Sequence, residues 1–202
     1  MTAALDLYLN EKFLGLKLES PLFYNADVGI RYEIGNPDPS VSDEKYREQV
    51  HYRSTTLFKS SHQPSDELFI VLFLDVQTTR KPYKINVFRK GVKHKNTLKN
   101  LSCSSVTLTD EEEAEGWESY RFVLSCKASD IKPITFLFSD YRIFIVNQTR
   151  DTIFYLYDSR GLDIVSNAAA PLKELYIRYN HWILDYDRAH IASIFNNGNS
   201  NL

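Results

Sequence analysis

Thr152-Ile-Phe-Tyr-Leu-Tyr-Asp-Ser-Arg-Gly-Leu-Asp-Ile-Val165 is the stretch on which the fold turns. Two β-branched and aromatic runs flank Asp158-Ser-Arg-Gly161. Asp at the first turn position and Gly at the fourth suit a type I turn, with Gly161 free to adopt positive φ in a bulge. The pattern predicts an antiparallel hairpin. Upstream, Tyr141–Asn147, Ile134–Phe138, Tyr120–Cys126 and Ser105–Leu108 read as further strands, with Ser139-Asp140 as a tight turn between the first two. Leu68–Val76 (LFIVLFLDV) is continuously apolar, as expected of a central strand covered on both faces. Tyr83–Phe88 alternates and should pair with it, and Lys90–Leu101 reads as a short helix.

Helices are expected at both ends. Leu5, Tyr8, Leu9, Phe13 and Leu16 form an amphipathic stripe that Pro21 should stop. Val28–Ile34 alternates as a half-buried strand, and Gly35–Pro39 is a turn cluster. Ser40 with Asp43 resembles a capping box opening a helix to about Ser61, its apolar face carried by Tyr46, Val50, the Arg53 stem, Leu57 and Phe58. Pro171 fits the first turn of a helix with a stripe through Leu172, Leu175, Tyr176, Tyr179, Trp182 or Ile183, and Tyr186; a last helix spans Arg188–Phe195. The expected fold is a single α+β domain over 1–202, with a frayed tail at 196–202. Its mostly antiparallel sheet has about six to eight strands, with two N-terminal and two C-terminal helices.

Composition bounds the function. The chain has 202 residues, 43% hydrophobic and 25% charged, with 7 Gly and 7 Pro, which excludes collagenous and disordered classes. Lys+Arg number 24 against 26 Asp+Glu, so the net charge of -2 argues against a generic polyanion binder. Cys103 and Cys126 are too few for a disulfide scaffold and read as reduced core residues. Asp6 and Glu11 interrupt any signal-peptide core, and the longest apolar run, Leu68–Leu74, is about a third of a membrane span. The expectation is a cytoplasmic protein with no membrane partner.

Chemistry-bearing patterns are sparse. The five histidines, His51, His62, His94, His181 and His190, show no metal-helix spacing. His181 and His190 flank Asp185 and Asp187, a grouping fit for acid–base work only if folding brought it together; on one helix the two rings would face opposite sides. Asp158, Arg160 and Asp163 at the hairpin tip could grip a phosphate or a metal, although Asp serves the turn, Gly161 the bulge and Arg160 a neighbouring carboxylate. No serine-hydrolase elbow, Walker loop or dinucleotide fingerprint is present. Charge is segregated: Lys81, Lys84, Arg89, Lys90, Lys93, Lys95 and Lys99 come without an acid, then Asp110, Glu111, Glu112, Glu113, Glu115 and Glu118 without a base. The basic run lacks the aromatic interleaving of a nucleic-acid platform, while the acidic run either solvates the fold or covers a basic partner surface.

Tyr155-Leu-Tyr-Asp-Ser-Arg-Gly-Leu-Asp163 and Tyr179-Asn-His-Trp-Ile-Leu-Asp-Tyr-Asp-Arg188 resemble the motifs of bacterial domain-of-unknown-function family 3885. Leu22–Asn25, Gly29–Glu33, Asp66–Phe69 and Ile85–Phe88 are similar to its N-terminal part. Ser159 stands where the family has Asp, and the segment between Cys126 and Asp140 is shorter than in typical members. The family is similar in context to small proteins near Rhs-type polymorphic toxins. The resemblance therefore implies an immunity protein that occludes a cognate toxin domain without catalytic residues, cofactor or metal.

The leading expectation is a non-catalytic interaction protein. Its partner-binding residues would be Glu111, Glu112, Glu113, Glu115 and Glu118, with exposed Trp182 and Tyr186. The rivals are an enzyme acting on a phosphoester or nucleotide through Asp158, Arg160 and Asp163 with His181 or Asp185, and a nucleic-acid module using Lys81–Lys99. Neither a nucleic acid nor a small-molecule substrate is favoured as partner.

Overall fold

The computed structural model describes residues 2–77, 85–107 and 115–196. Its centre is a seven-stranded sheet in the order β1-β7-β6-β5-β2-β4-β3, every pair antiparallel. The strands are β1 Val28–Glu33, β2 Glu67–Gln77, β3 Leu101–Val106, β4 Trp117–Lys127, β5 Arg142–Asn147, β6 Thr152–Leu156 and β7 Gly161–Ser166. The α+β class and the β6–β7 hairpin hold as expected. β2 lies between β4 and β5, and its Leu68–Leu72 is buried on both faces.

The helices are α1 Thr2–Phe13, α2 Asp43–Ser61, α3 Val87–Gly91, α4 Pro133–Leu137, α5 Lys173–Arg178 and α6 Arg188–Asn196. Period-two alternation divides the core between the faces of the sheet. Ile30, Leu68, Ile70, Leu124, Phe154 and Ile164 join residues of α2–α6 in one cluster, and Phe69, Val71, Val123, Phe144 and Val165 pack with Leu5, Leu9 and Phe13 of α1 in the other. A thick helical layer thus covers one face and a single helix the other.

Several expectations are corrected. α1 ends at Leu14 and Gly15, whose φ values of 51° and 77° carry the chain into the left-handed region well before Pro21. Ser40 binds Asp38, and the cap of α2 is Ser42, which accepts the Lys45 N–H at 3.4 Å. Val87 and Phe88 open α3 rather than extend a strand; Tyr83 and Lys84 lie outside the described residues. Ile134–Phe138 is not a strand and Ser139-Asp140 not a hairpin turn. Pro133 begins α4, which sends Phe136 into the core against Phe88 at 5.9 Å. The helix expected through Tyr186 stops at Arg178 and gives way to 3-10 turns at Asn180–Trp182 and Asp185–Asp187. Cys103 is exposed rather than in the core, whereas Cys126 is buried.

Candidate functional site

The β6–β7 turn separates the three residues that sequence placed together. At the tip Asp158 accepts the Arg160 backbone N–H at 2.7 Å and its Nε at 2.8 Å, while Tyr46 of α2 donates to the Ser159 carbonyl at 2.9 Å. Gly161 is not at positive φ; it is glycine because a Cβ there would lie 1.7 Å from Tyr157 Oη. Asp163, inside β7, points into the protein and is completely buried.

Asp163 faces Arg31 in the β1–β7 register. The guanidinium donates from Nε to Oδ1 at 2.9 Å and from Nη2 to Oδ2 at 3.2 Å, and the Phe23 N–H adds a third bond at 3.0 Å. Burial pulls the Arg31 pKa down, but the hydrogen bonds and charge of Asp163 outweigh it and hold the guanidinium more firmly charged than usual. Its central carbon sits over Tyr24 at 4.5 Å, Tyr157 at 5.2 Å and Phe23 at 5.4 Å. Asp187 arrives from beyond the sheet edge: Oδ1 accepts the Tyr24 hydroxyl at 3.0 Å, and Oδ2, 4.0 Å from Arg31, is buried with no hydrogen bond. Arg188 holds this segment in place by donating to Asn180 O, Ile183 O and Asp185 Oδ1 at 2.8–2.9 Å.

Four of the stretches that carry the family resemblance therefore meet in one ionic cluster, buried at Phe23, Arg31, Asp163 and Asp187 and covered from outside by Tyr24, which is 53% exposed, and by Tyr157. Sequence reasoning singled out Asp163 and Asp187 for other roles and missed Arg31 and Tyr24. The available signal was Arg31 itself, a charged residue on the alternate face of an apolar strand. His181 packs on Trp182 and His190 lies edge-on to Phe23, each ring engaged with an aromatic neighbour. Among the described residues no group of three or more His, Cys, Asp and Glu side chains is placed to hold a metal.

A large cavity, about 830 Å³, opens on the α1 face between α1 and the ends of β2, β3, β4 and β5. Asp6 of α1 takes both terminal nitrogens of Arg121 at 2.6 and 2.8 Å, and the Ser119 hydroxyl donates to Asp75 at 2.6 Å. Arg142 lies over the Phe73 ring at 4.8 Å and reaches Asp75 at 3.6 Å. Trp117 and the exposed Glu115 complete the wall. A smaller cavity continues past Phe73, Asp75, Trp117 and Arg142. The hollow has charges of both signs, fixed by mutual pairing around an aromatic floor, and such a surface can seat a polar segment of another molecule.

The expected partner-binding residues are distributed unevenly. Glu111, Glu112 and Glu113 lie outside the described residues; Glu115 is exposed in the wall of the large cavity, while Glu118, also exposed, accepts the Tyr120 hydroxyl on the opposite face of β4. Tyr186 is 85% exposed, as expected, but Trp182 is only 8% exposed and stacks on Tyr179 at 4.9 Å. Trp182 is a core residue rather than part of an exposed patch, because the chain turns at Ile183 and folds it under α2.

The protein is similar to the uncharacterized protein YnaE of Bacillus subtilis (strain 168), with 24% identity covering 89% of this chain and 96% of the relative. No solved structure matches. The family described as Domain of unknown function (DUF3885) matches residues 5–187, which takes in the sheet, the ionic cluster and the large cavity, and the chain belongs to that family.

Proposed function

We propose that this chain is a cytoplasmic, non-catalytic interaction protein of the immunity kind, which binds a cognate toxin domain and blocks it by occlusion. The observation that carries the reading is Glu115, exposed in the wall of the large cavity and part of the acidic run Asp110–Glu118 of the sequence. An acidic rim steers a basic partner surface and fixes its register, and the hollow behind it accepts what the partner inserts. The neighbourhood of Rhs-type toxins that the family resemblance implies supplies the class of partner. Tyr186, 85% exposed in the 3-10 turn Asp185–Asp187, is a second contact residue.

The test is rescue. The toxin-like domain encoded beside this gene is expressed in a heterologous host with and without this chain, and the purified pair is examined for a 1:1 complex. Rescue with a complex is expected, and reversal of Glu111, Glu112, Glu113, Glu115 and Glu118 to Lys should weaken it at least about a hundredfold. Absence of both rescue and complex overturns the reading. So does a complex indifferent to those reversals, because the acidic segment would then not be the contact.

A further inference from the structure

The two edges of the sheet are finished differently. β1 is closed: Tyr32 bridges to Ile183, and the Leu184 N–H donates to the Arg31 carbonyl at 3.1 Å. β3 is laddered to β4 alone among the described residues. Its sequence, Leu-Ser-Cys-Ser-Ser-Val, has no charge and no proline, and all six residues pair with β4 without a bulge. Charges, prolines and bulges are the usual devices by which a sheet edge refuses another strand.

We propose that β3 is a homodimer interface, at which a second copy of this chain adds its own β3 antiparallel and joins two seven-stranded sheets into one. Three observations select a second copy as the occupant. The first is self-complementarity. A two-fold axis perpendicular to the sheet keeps each face continuous, so it pairs residues of equal parity and centres the register on Cys103 or on Ser104. Centred on Cys103, the pairs are Cys103 with Cys103, Ser102 with Ser104 and Leu101 with Ser105, which sets a small side chain on at least one side of every pair and no charge against another.

The second is charge. Exposed Lys93, Lys95 and Lys99 precede β3, and exposed Glu115 and Glu118 stand at its other end. Antiparallel pairing of two copies brings each basic end beside the other's acidic end, twice over. Val106 faces Ser119 in the β3–β4 register, so continuing one step places Thr107 beside Glu118. Lys99 lies in the 3-10 helix Lys95–Asn100 that leads straight into β3, so in the Cys103-centred dimer it sits at the same end of the seam as Thr107 and Glu118 of the second copy. The third is the contrast with β1, whose edge this same chain covers with its own residues 183–184. The segregation of charge along the sequence acquires a purpose, since the two runs flank the strand they would align.

The inference does not rest on the immunity reading and is tested on the purified full-length chain alone. Sedimentation across a range of concentration and salt is expected to show a dimer that weakens as salt rises. Lys95→Glu with Lys99→Glu, or Glu115→Lys with Glu118→Lys, should each raise the dissociation constant by about tenfold or more. An equimolar mixture of the two variants should dimerise again, because both contacts become opposite in sign; far-UV circular dichroism confirms that each variant is folded. A short bismaleimide should join two chains through Cys103, or through Ser104→Cys in a Cys103→Ser background. Cys126 is buried and stays silent. A chain that is monomeric throughout overturns the proposal. A dimer that ignores both charge reversals, or that cross-links at neither position, overturns it equally.

Discussion

Two arginine–aspartate pairs share the β6–β7 hairpin, and they teach opposite lessons. Arg160 and Asp158 form a fork at the tip, with the arginine side chain 82% exposed. Arg31 and Asp163 form a similar fork two residues into β7, with side-chain exposures of 10% and 0%. The outer pair is local, closed within the turn that creates it, and water competes for every bond. The inner pair joins residues far apart in sequence, and the aromatic rings of Phe23, Tyr24 and Tyr157 take the place of water around the guanidinium. Similar chemistry is decoration at one address and a structural commitment at the other, because a buried charge stripped of its partner has nowhere to turn.

The sharpest way to break this contrast is to remove one inner partner. Asp163→Ala or Arg31→Ala should cost about 3–5 kcal/mol in urea unfolding, by leaving one buried charge unpaired. A loss under 1 kcal/mol would mean that water reaches the cluster and that the two pairs are alike after all. A buried polar group at the other end of the sheet extends the contrast to pH. Burial holds the His62 imidazole down to about 4, against the Phe58 carbonyl and the Asp66 carboxylate, which favour its charged form. The fold keeps the neutral ring while the unfolded chain protonates near 6.5, so stability should fall by about 3 kcal/mol as pH drops from about 6.5 to 4. His62→Gln should flatten thermal-melt midpoints across that window; an unaltered slope assigns the loss elsewhere. Asp66, whose pKa is lowered by the Gln63 N–H, Asn147 and Arg150 against the cost of burial, loses its share only below the ordinary carboxyl range.

Smaller effects are expected at the turn. Gly161→Ala should cost about 1–3 kcal/mol by driving a methyl into Tyr157, and Tyr157→Ala should recover part of that penalty in the double variant. Simple additivity would place the strain in the backbone instead. Arg160→Ala should leave the melting midpoint where it is, which is the least effect and the cleanest half of the comparison.

Most strands were legible because each carries its own evidence; β3 was not, since it spans Leu101–Val106 where the sequence suggests a strand only over Ser105–Leu108. Leu68–Leu72 is apolar without interruption, and Thr152–Val165 contains both strands and the turn between them. The short helices were not. Val87-Phe88 and Ile134–Phe138 have the composition of strands, but packing decides otherwise: Phe88 and Phe136 meet across two helical turns and fill the space beside Phe122. Pro133, at the start of α4, suits a first helical turn, yet the residues after it have a strand's composition. The ionic cluster is the plainest case of what a sequence withholds. Turn chemistry fixes Asp158 to Arg160 within three residues, whereas Asp163 meets Arg31 only through the β1–β7 register and Asp187 only because the chain wraps the sheet edge. Trp182 misled for a related reason, since a stripe at helical spacing names a buried face only while the helix continues.

The placement of β1 at the edge beside β7 has a consequence for how the polypeptide is born. Val28 must wait for Ser166, and the edge is sealed only when Ile183 and Leu184 follow. During translation the first strand therefore stays unpaired while nearly the whole domain is made, and the closing contacts are of high contact order. A nascent chain or a premature truncation ending before that point exposes a bare apolar strand with an arginine meant for burial, which is a natural substrate for holding chaperones.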